Sequence, residues 1–314
     1  MTAVNRAMTN RVEALSISWR VARAVREEGW SGEVLAVHPR SCYLLDEEGS
    51  IYAVVQEDLG KGPLSLVIAS SPSPQPFQHL AVGDTVKTAG DVLLLSDSLD
   101  VGLANAELWD PKPYVAFGSG AEAMQHSLAA LHQAATKFAP EKSLAVLLPY
   151  LAEDELPPLL QKVTHFPRSH ALMGGLADSL GDRNRRGLKV VTSSLAGLGP
   201  GLTPAGDDFL AGVLLALAEQ RQADAELGEI ADLLLETAAP RTHEISAAYL
   251  KTAHDGEAHE RWHALLGALA AGDTAAIGEA AHGVAQVGET SGADMLAGFL
   301  TAMQAVHVRP RHGA

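Results

Sequence analysis

Ser193-Ser-Leu-Ala-Gly-Leu-Gly-Pro-Gly-Leu-Thr-Pro-Ala-Gly-Asp-Asp-Phe-Leu-Ala-Gly212 is the stretch on which the reading of this chain turns. The four glycines and two prolines that it carries ahead of Asp207 prevent regular structure there, and glycines let a backbone approach a ligand closely or adopt positive φ. Thr203 before Pro204 fits an N-cap with proline at the first helical position, so a helix is expected from there. Such a helix start presents unpaired N–H groups and the positive end of a dipole to an anion. The same frame returns later. Gly206-Asp207-Asp208-Phe209-Leu210-Ala211-Gly212 aligns without gaps with Gly292-Ala293-Asp294-Met295-Leu296-Ala297-Gly298. First-turn aspartates ordinarily do no more than complement the dipole. That explains one of them, and it explains less well why an Asp stands at the same offset in both copies. The small residues Ala211, Gly212, Ala297 and Gly298 fit close helix–helix packing, which would bring the two starts side by side.

The candidate site follows from this echo. Asp208 and Asp294 are the candidate catalytic carboxylates, able to accept hydrogen bonds from an amide, to position a proton or to hold a divalent cation. Gly199, Gly201, Thr203, Gly206 and Asp207 from the first copy, with Thr290, Ser291 and Gly292 from the second, are the candidate ligand-binding residues. A third segment, Pro240-Arg241-Thr242-His243-Glu244-Ile245-Ser246, opens another helix. There Arg241 is a candidate for bidentate contact with a carboxylate or phosphate, with Thr242 beside it; a solvated surface arginine explains Arg241 equally well. The loop lacks the Lys-Ser/Thr of a P-loop and has no Rossmann context, which argues against nucleotide binding by either route.

Outward from this stretch, the chain divides in two. Residues 11–28 show helical spacing, with Val12, Leu15, Trp19, Ala22 and Val25 on one face, so an N-terminal helix is expected within 1–29. From Glu33 the pattern becomes short β-type runs at 34–37, 42–45, 51–55, 64–68, 85–87 and 92–95, separated by turn clusters such as Asp46-Glu47-Glu48-Gly49. Residues 30–118 therefore read as a small, mostly antiparallel β domain, with a proline loop at 70–76. Beyond Gly120, helical spacing recurs at 121–138, 144–151, 156–163, 169–180, 207–221, 227–238, 242–253, 257–271, 274–287 and 292–306, and Leu188–Thr192 fits a helix or a short strand. The expected fold class is α+β, a β-rich domain followed by a larger helical one over 119–314 with a frayed tail from Arg309.

Composition narrows the partners. The 314 residues carry a formal net charge of -15, which repels phosphate backbones and anionic lipids, so nucleic acid and membranes are not expected. The longest apolar run, Phe209–Ala218, is far below the ~18 residues of a membrane span. Arginines and glutamate interrupt every apolar stretch near the N-terminus, against a signal peptide. A single cysteine, Cys42, permits no internal disulfide and reads as a core residue of a cytoplasmic protein. His259-Glu260-Arg261-Trp262-His263 matches the H-E-x-x-H zinc signature. Thirteen histidines make a chance match unsurprising, and Asp255-Gly256 breaks the helical pattern just upstream. A zinc hydrolase is the weaker alternative, and no resident metal is expected beyond the cation that the two carboxylates allow.

The strings Ala196-Gly-Leu-Gly-Pro-Gly-Leu-Thr-Pro-Ala-Gly-Asp-Asp-Phe-Leu-Ala-Gly212, Arg241-Thr-His-Glu-Ile-Ser246 and Thr290-Ser-Gly-Ala-Asp-Met-Leu-Ala-Gly298 resemble the family named for one subunit of oxamate carbamoyltransferase. The resemblance covers the C-terminal half well. In the β region it is weaker, through Gly62-Pro63-Leu64-Ser65-Leu66 and Trp109-Asp110-Pro111. It implies a part in allantoin-type nitrogen metabolism, where oxalurate and phosphate give oxamate and carbamoyl phosphate through three different gene products. The expected partners are thus a small anionic substrate and other protein subunits. The expected activity is that of a carbamoyltransferase subunit, with a non-catalytic ligand-binding or scaffolding subunit as the alternative.

Overall fold

The computed structural model describes residues 10–27, 29–69, 75–115 and 120–307. Most of the proline loop at 70–76 and the tail from Arg309 lie outside these residues. The chain forms two compact units, Met1–Pro111 and Lys112–Ala314, so the architecture is α+β as expected.

The first unit is a β-barrel of β1 (Asn10–Ser18), β2 (Ser31–His38), β3 (Ser41–Asp46), β4 (Ile51–Gln56), β5 (Ser65–Ile68), β6 (Thr85–Ala89), β7 (Val92–Leu95), β8 (Leu99–Gly102) and β9 (Glu107–Trp109), with helix α1 (Trp19–Val25) after β1. Strand order is β5-β4-β3-β2-β6-β7-β8-β1-β9, and a further β5–β1 pairing closes the sheet on itself. Six of its nine pairings are antiparallel. The turns carry the chemistry that the sequence advertises. Asp46 Oδ1 accepts the N–H groups of Glu48 and Ser50 at 3.0 and 2.8 Å, an Asx-type turn that reverses the chain between β3 and β4. Cys42 is fully buried among Val34, Leu44, Val54 and Leu93, and burial, with the Asp84 charge second, pushes its thiol up to about 12.

The helix expected over 11–28 is a correction. Asn10–Ser18 is a strand, and only Trp19–Val25 is helical. Val12, Ala14 and Ser16 are buried in alternation, a period of two that the apolar set Val12, Leu15, Trp19 conceals. Strand wins because β1 is flanked on both sides: it pairs with β8 over 10–13, with β5 over 14–17 and with β9 over 16–18. No helix could satisfy those open edges. The short helix starts where Ser18 caps it, accepting Val21 N–H at 3.3 Å.

The second unit is helical: α2 (Ala121–Lys137), α3 (Pro158–Gln161), α4 (Phe166–Gly181), α5 (Arg185–Leu195), α6 (Ala205–Gln220), α7 (Ala225–Ala238), α8 (Glu244–His254), α9 (Glu260–Ala271), α10 (Thr274–Ala285) and α11 (Ser291–His307). Leu188–Thr192 resolves as helix, inside α5. Residues 144–150 form a 3₁₀ segment containing Pro149, and the one-turn helix α3 starts at Pro158, with Pro157 as its cap. Helices α6 and α11 are buried almost all round, as helices apolar on every face must be. The other helices surround them: α5, α7 and α8 pack on α6, and α2, α4 and α10 on α11. No helix among the described residues is long and apolar enough to cross a membrane.

Candidate functional site

The two central helices run in the same direction. Near their starts the Thr203 and Ser291 hydroxyls stand 3.3 Å apart, and towards their ends Gln220 meets Met303 and His307. Between these points lies an unusually close crossing. A Cβ on Gly212 would stand 1.9 Å from the Met295 carbonyl oxygen, and one on Gly298 would stand 1.8 Å from the Phe209 carbonyl oxygen. Phe209 and Met295 are equivalent positions of the echo, as are Gly212 and Gly298, so the contact is reciprocal. No other residue than glycine fits at either place, which is why the echo keeps both.

The correspondence extends upstream of the seven residues visible in the sequence. Leu198 N–H bonds the Leu195 carbonyl and Gly206 N–H bonds the Leu198 carbonyl, at 2.9 and 2.8 Å; Val287 N–H bonds Val284 and Gly292 N–H bonds Val287, at 2.9 and 3.0 Å. A Cβ on Gly206 would meet the Leu195 oxygen at 2.1 Å, and one on Gly292 the Val284 oxygen at 1.9 Å. Helices α5 and α6 thus form one hairpin and α10 and α11 a second built to the same plan.

The pairing brings Asp208 and Asp294 together. Asp294 is fully buried. Its Oδ1 accepts the N–H of Leu144, from the 3₁₀ segment, at 2.5 Å, and its Oδ2 is buried without a hydrogen-bond partner. Asp208 is half-buried as a residue, yet its own Oδ2 is likewise sealed and unpartnered. Burial drives both carboxyls upward. Asp208 stands well above the usual carboxylate range, raised by desolvation and by the Asp294 and Asp207 charges and opposed by hydrogen bonds from Ser291 and Thr203. Asp294 is pushed up to about 7 by desolvation, against the Leu144 N–H and the Thr290 hydroxyl. No basic side chain figures among the groups acting on either carboxyl. The half-buried Thr203, Thr290 and Ser291 form the polar rim of this pair.

Two expectations need correction. Thr203 is not the cap of α6. The Pro204 carbonyl accepts the Asp207 and Asp208 N–H groups at 2.8 and 3.1 Å, so the cap lies one residue later, and the Thr203 hydroxyl turns to Asp208 and Ser291 instead. Nor are most of the helix-start amides open to an anion. The N–H groups of Gly206, Asp207, Asp208, Gly292 and Asp294 all have backbone acceptors. What converges here is carboxyl and hydroxyl oxygen.

Asp207 does something else. Its Oδ1 accepts Gly197 N–H at 2.8 Å and its Oδ2 accepts the Thr242 hydroxyl. It thereby fastens the glycine loop to α6 and to the start of α8, where Ser246 Oγ also donates to the Leu202 carbonyl at 3.3 Å. The loop that this latch holds needs positive φ at Gly197, Gly199 and Gly201. Arg241 is exposed, and its Nη1 donates to the Thr237 carbonyl at the end of α7, 2.7 Å away; its backbone carbonyl faces Gly197. Leu144 is the participant that the sequence could not reveal, because it contributes only a backbone N–H.

The zinc alternative fails on geometry. Helix α9 begins at Glu260, and His259 caps it, its Nδ1 accepting Arg261 N–H at 3.2 Å. His259 and His263 therefore do not share a helical face. Among the described residues no group of three or more His, Cys, Asp or Glu side chains is placed to hold a metal ion. A separate cleft of about 470 Å³ runs between α2 and α10, past Gln133, Lys137, Phe138, Glu279 and His282. None of its lining side chains carries a buried polar atom without a partner.

Comparison with known families gives two matches. The family model described as oxamate carbamoyltransferase subunit AllH matches residues 195–303, a span that opens at Leu195 and encloses the starts of both α6 and α11. The AllH family N-terminal domain matches residues 13–108, the barrel. No curated protein and no solved structure matches the chain.

Proposed function

The chain belongs to the AllH family of oxamate carbamoyltransferase subunits, and from that premise we propose that it holds a small amide or carbamoyl anion where α6 and α11 begin. Oxamate, oxalurate and carbamoyl phosphate are the ligands of this chemistry. The subunit designation implies other protein subunits in the working complex.

The observation that carries the reading is the pair of buried carboxyl oxygens, Asp208 Oδ2 and Asp294 Oδ2, left without partners on two converging helices. An unpaired buried oxygen costs about 1–3 kcal/mol. Two of them at equivalent positions signal a site kept for a ligand rather than for stability. A carbamoyl or carboxamide group supplies what they lack, an –NH₂ with two donors. Both carboxyls are raised, Asp208 well above the usual carboxylate range and Asp294 to about 7, so either can hold or return a proton to the ligand's amide. Stabilising the tetrahedral oxyanion of carbamoyl transfer falls first to the Thr203, Thr290 and Ser291 hydroxyls, since most of the helix-start amides already have backbone acceptors. Arg241 could join as a carboxylate- or phosphate-binding arm on releasing the Thr237 carbonyl. The full burial of Asp294 favours, as a second reading, a subunit that binds ligand while partner subunits carry the chemistry.

The test is calorimetric titration of the chain, alone and with its partner subunits, with oxamate, oxalurate and carbamoyl phosphate. Binding weakened by roughly tenfold or more in Asp208→Asn and Asp294→Asn is expected. Undiminished binding in the double variant would remove the site. Full carbamoyl transfer by the assembled complex despite weakened binding would select the second reading.

A further inference from the structure

The ligands just proposed are anions, and the groups that would meet them are two carboxyls with no cation beside them. Placing an oxamate or a phosphate against Asp208 and Asp294 sets like charges together in a poorly solvated place, which is strongly unfavourable unless something positive intervenes. Nothing in the described chain does so. Arg241 is engaged at the end of α7, and no lysine, arginine or histidine acts on either carboxyl.

We infer that Asp208 and Asp294 bind a divalent cation of the Mg²⁺ class, through Asp208 Oδ2 and Asp294 Oδ2, which bridges the protein to its anionic ligand. The inference rests on the reading of this place as the ligand site. Four observations support it. Both oxygens are buried and unpartnered, and Asp294 has no exposed surface at all. The second oxygen of Asp294 is fixed by the Leu144 N–H, the kind of hydrogen bond that orients a ligating carboxylate. Hydroxyls of Thr203, Thr290 and Ser291 rim the pair and suit a hard cation or the waters around it. The donor count also selects the ion. Asp207 is turned away to Gly197 and Thr242, and among the described residues no third His, Cys, Asp or Glu is placed to complete a metal group, so the two carboxylates do not make a tetrahedral zinc site. They match Mg²⁺, which takes one or two carboxylates and completes its octahedron with waters and substrate oxygens. Oxamate and oxalurate carry adjacent carbonyl and carboxylate oxygens that chelate such an ion, and carbamoyl phosphate offers phosphoryl oxygens. Burial that makes two adjacent charges costly is relieved equally by a proton or by the cation, so the two compete.

The experiment uses the full chain and Mn²⁺ as the spectroscopic stand-in for Mg²⁺, titrated with and without saturating oxamate and followed by electron paramagnetic resonance. One saturable Mn²⁺ per chain is expected, displaced by Mg²⁺, tightened by oxamate, and weakened roughly tenfold or more in Asp208→Asn or Asp294→Asn. Asn at 294 retains an acceptor for Leu144, and circular dichroism and thermal melting of each variant establish that it is folded. Glu279→Gln, in the α2–α10 cleft, is expected to leave Mn²⁺ binding unchanged. Oxamate binding as tightly in EDTA as in Mg²⁺, with no saturable Mn²⁺, would overturn the cation and leave the ligand site standing. Saturable Mn²⁺ that oxamate never alters would instead keep the cation and remove the substrate reading. Mn²⁺ affinity unchanged in a folded Asp294→Asn would overturn the assignment to these residues.

Discussion

The α5–α6 and α10–α11 hairpins share a plan and differ in one residue that explains the rest. At the position where the first carries Asp207, the second carries Ala293. Between the shared turn and the shared glycine, the first runs Gly199–Ala205 and the second only Gly288–Ser291. The longer loop needs fastening, and Asp207 supplies it by holding Gly197 and Thr242. The shorter loop returns directly and leaves that place to a buried alanine. One step on, Asp208 and Asp294 occur in both, and each has an oxygen that the protein itself does not satisfy. What the hairpins share at the crossing is architecture, what they share at the Asp208/Asp294 position is ligand chemistry, and what they do not share is loop maintenance.

The largest effect should come from the crossing. Gly212→Val and Gly298→Val each drive a side chain into backbone oxygen of the opposite helix, and neither helix can retreat within a core this dense. A loss of about 3 kcal/mol or more in each is expected from urea denaturation. The two losses should be similar, because the contact is reciprocal; one variant melting like wild type would show that the symmetry is only apparent.

The aspartates then separate by sign. Asp207→Ala strips two hydrogen bonds from a buried carboxylate and should cost roughly 2–3 kcal/mol, read as a lower denaturation midpoint. Asp294→Asn should do the opposite in the presence of a chelator. The folded carboxyl titrates near 7 and the unfolded one near 3.8, so between those values the unfolded chain sheds a proton that the folded chain keeps. Wild-type stability therefore falls relative to the Asn variant as pH rises from about 4 to about 7, and it stays lower above that. At pH 8 the variant should be the more stable by on the order of 2 kcal/mol, and near pH 4 the two should coincide. A pH-independent difference would show that Asp294 is a structural residue like Asp207.

How much of this was legible follows from where each signal resides. Strands β2 to β7 were readable because alternation and turn residues lie next to each other in the chain. Strand β1 was not, because Val12, Leu15 and Trp19 also satisfy a helical period and the pairing that decides for a strand comes from β5, β8 and β9. The convergence of the two helix starts was readable from Ala211-Gly212 and Ala297-Gly298, since small residues at matched offsets announce a close crossing. The upstream half of the repeat was hidden, because Leu195 and Leu198 correspond to Val284 and Val287 across loops of unequal length. Asp207 and Asp208 look alike as letters, and only Gly197, Thr242 and Ser291 tell them apart. Most of the helix-start amides are not free, because the loops fold back and supply acceptors from Leu198, Pro204, Val287 and Thr290.

The smallest predicted effect tests the loops against each other. Gly199 and Gly288 each follow the shared turn, at φ +119 and +66. The first value belongs to glycine alone, and a Cβ there would also stand 3.0 Å from the Ala205 nitrogen; Gly199→Ala should cost about 1–3 kcal/mol. The second value lies in the left-handed region that asparagine tolerates, so Gly288→Asn should cost less than about 1 kcal/mol. Its close neighbours would be the Ser291 hydroxyl and Cβ, at 3.2 and 3.3 Å from the new Cβ. A small shift of the Ser291 side chain relieves the contact, and in doing so it withdraws a hydrogen bond from Asp208. Gly288→Asn should thus melt close to wild type yet bind oxamate or Mn²⁺ measurably less well. A variant that loses stability and no affinity would show that the short loop is held for its own sake and that Ser291 serves the fold rather than the site.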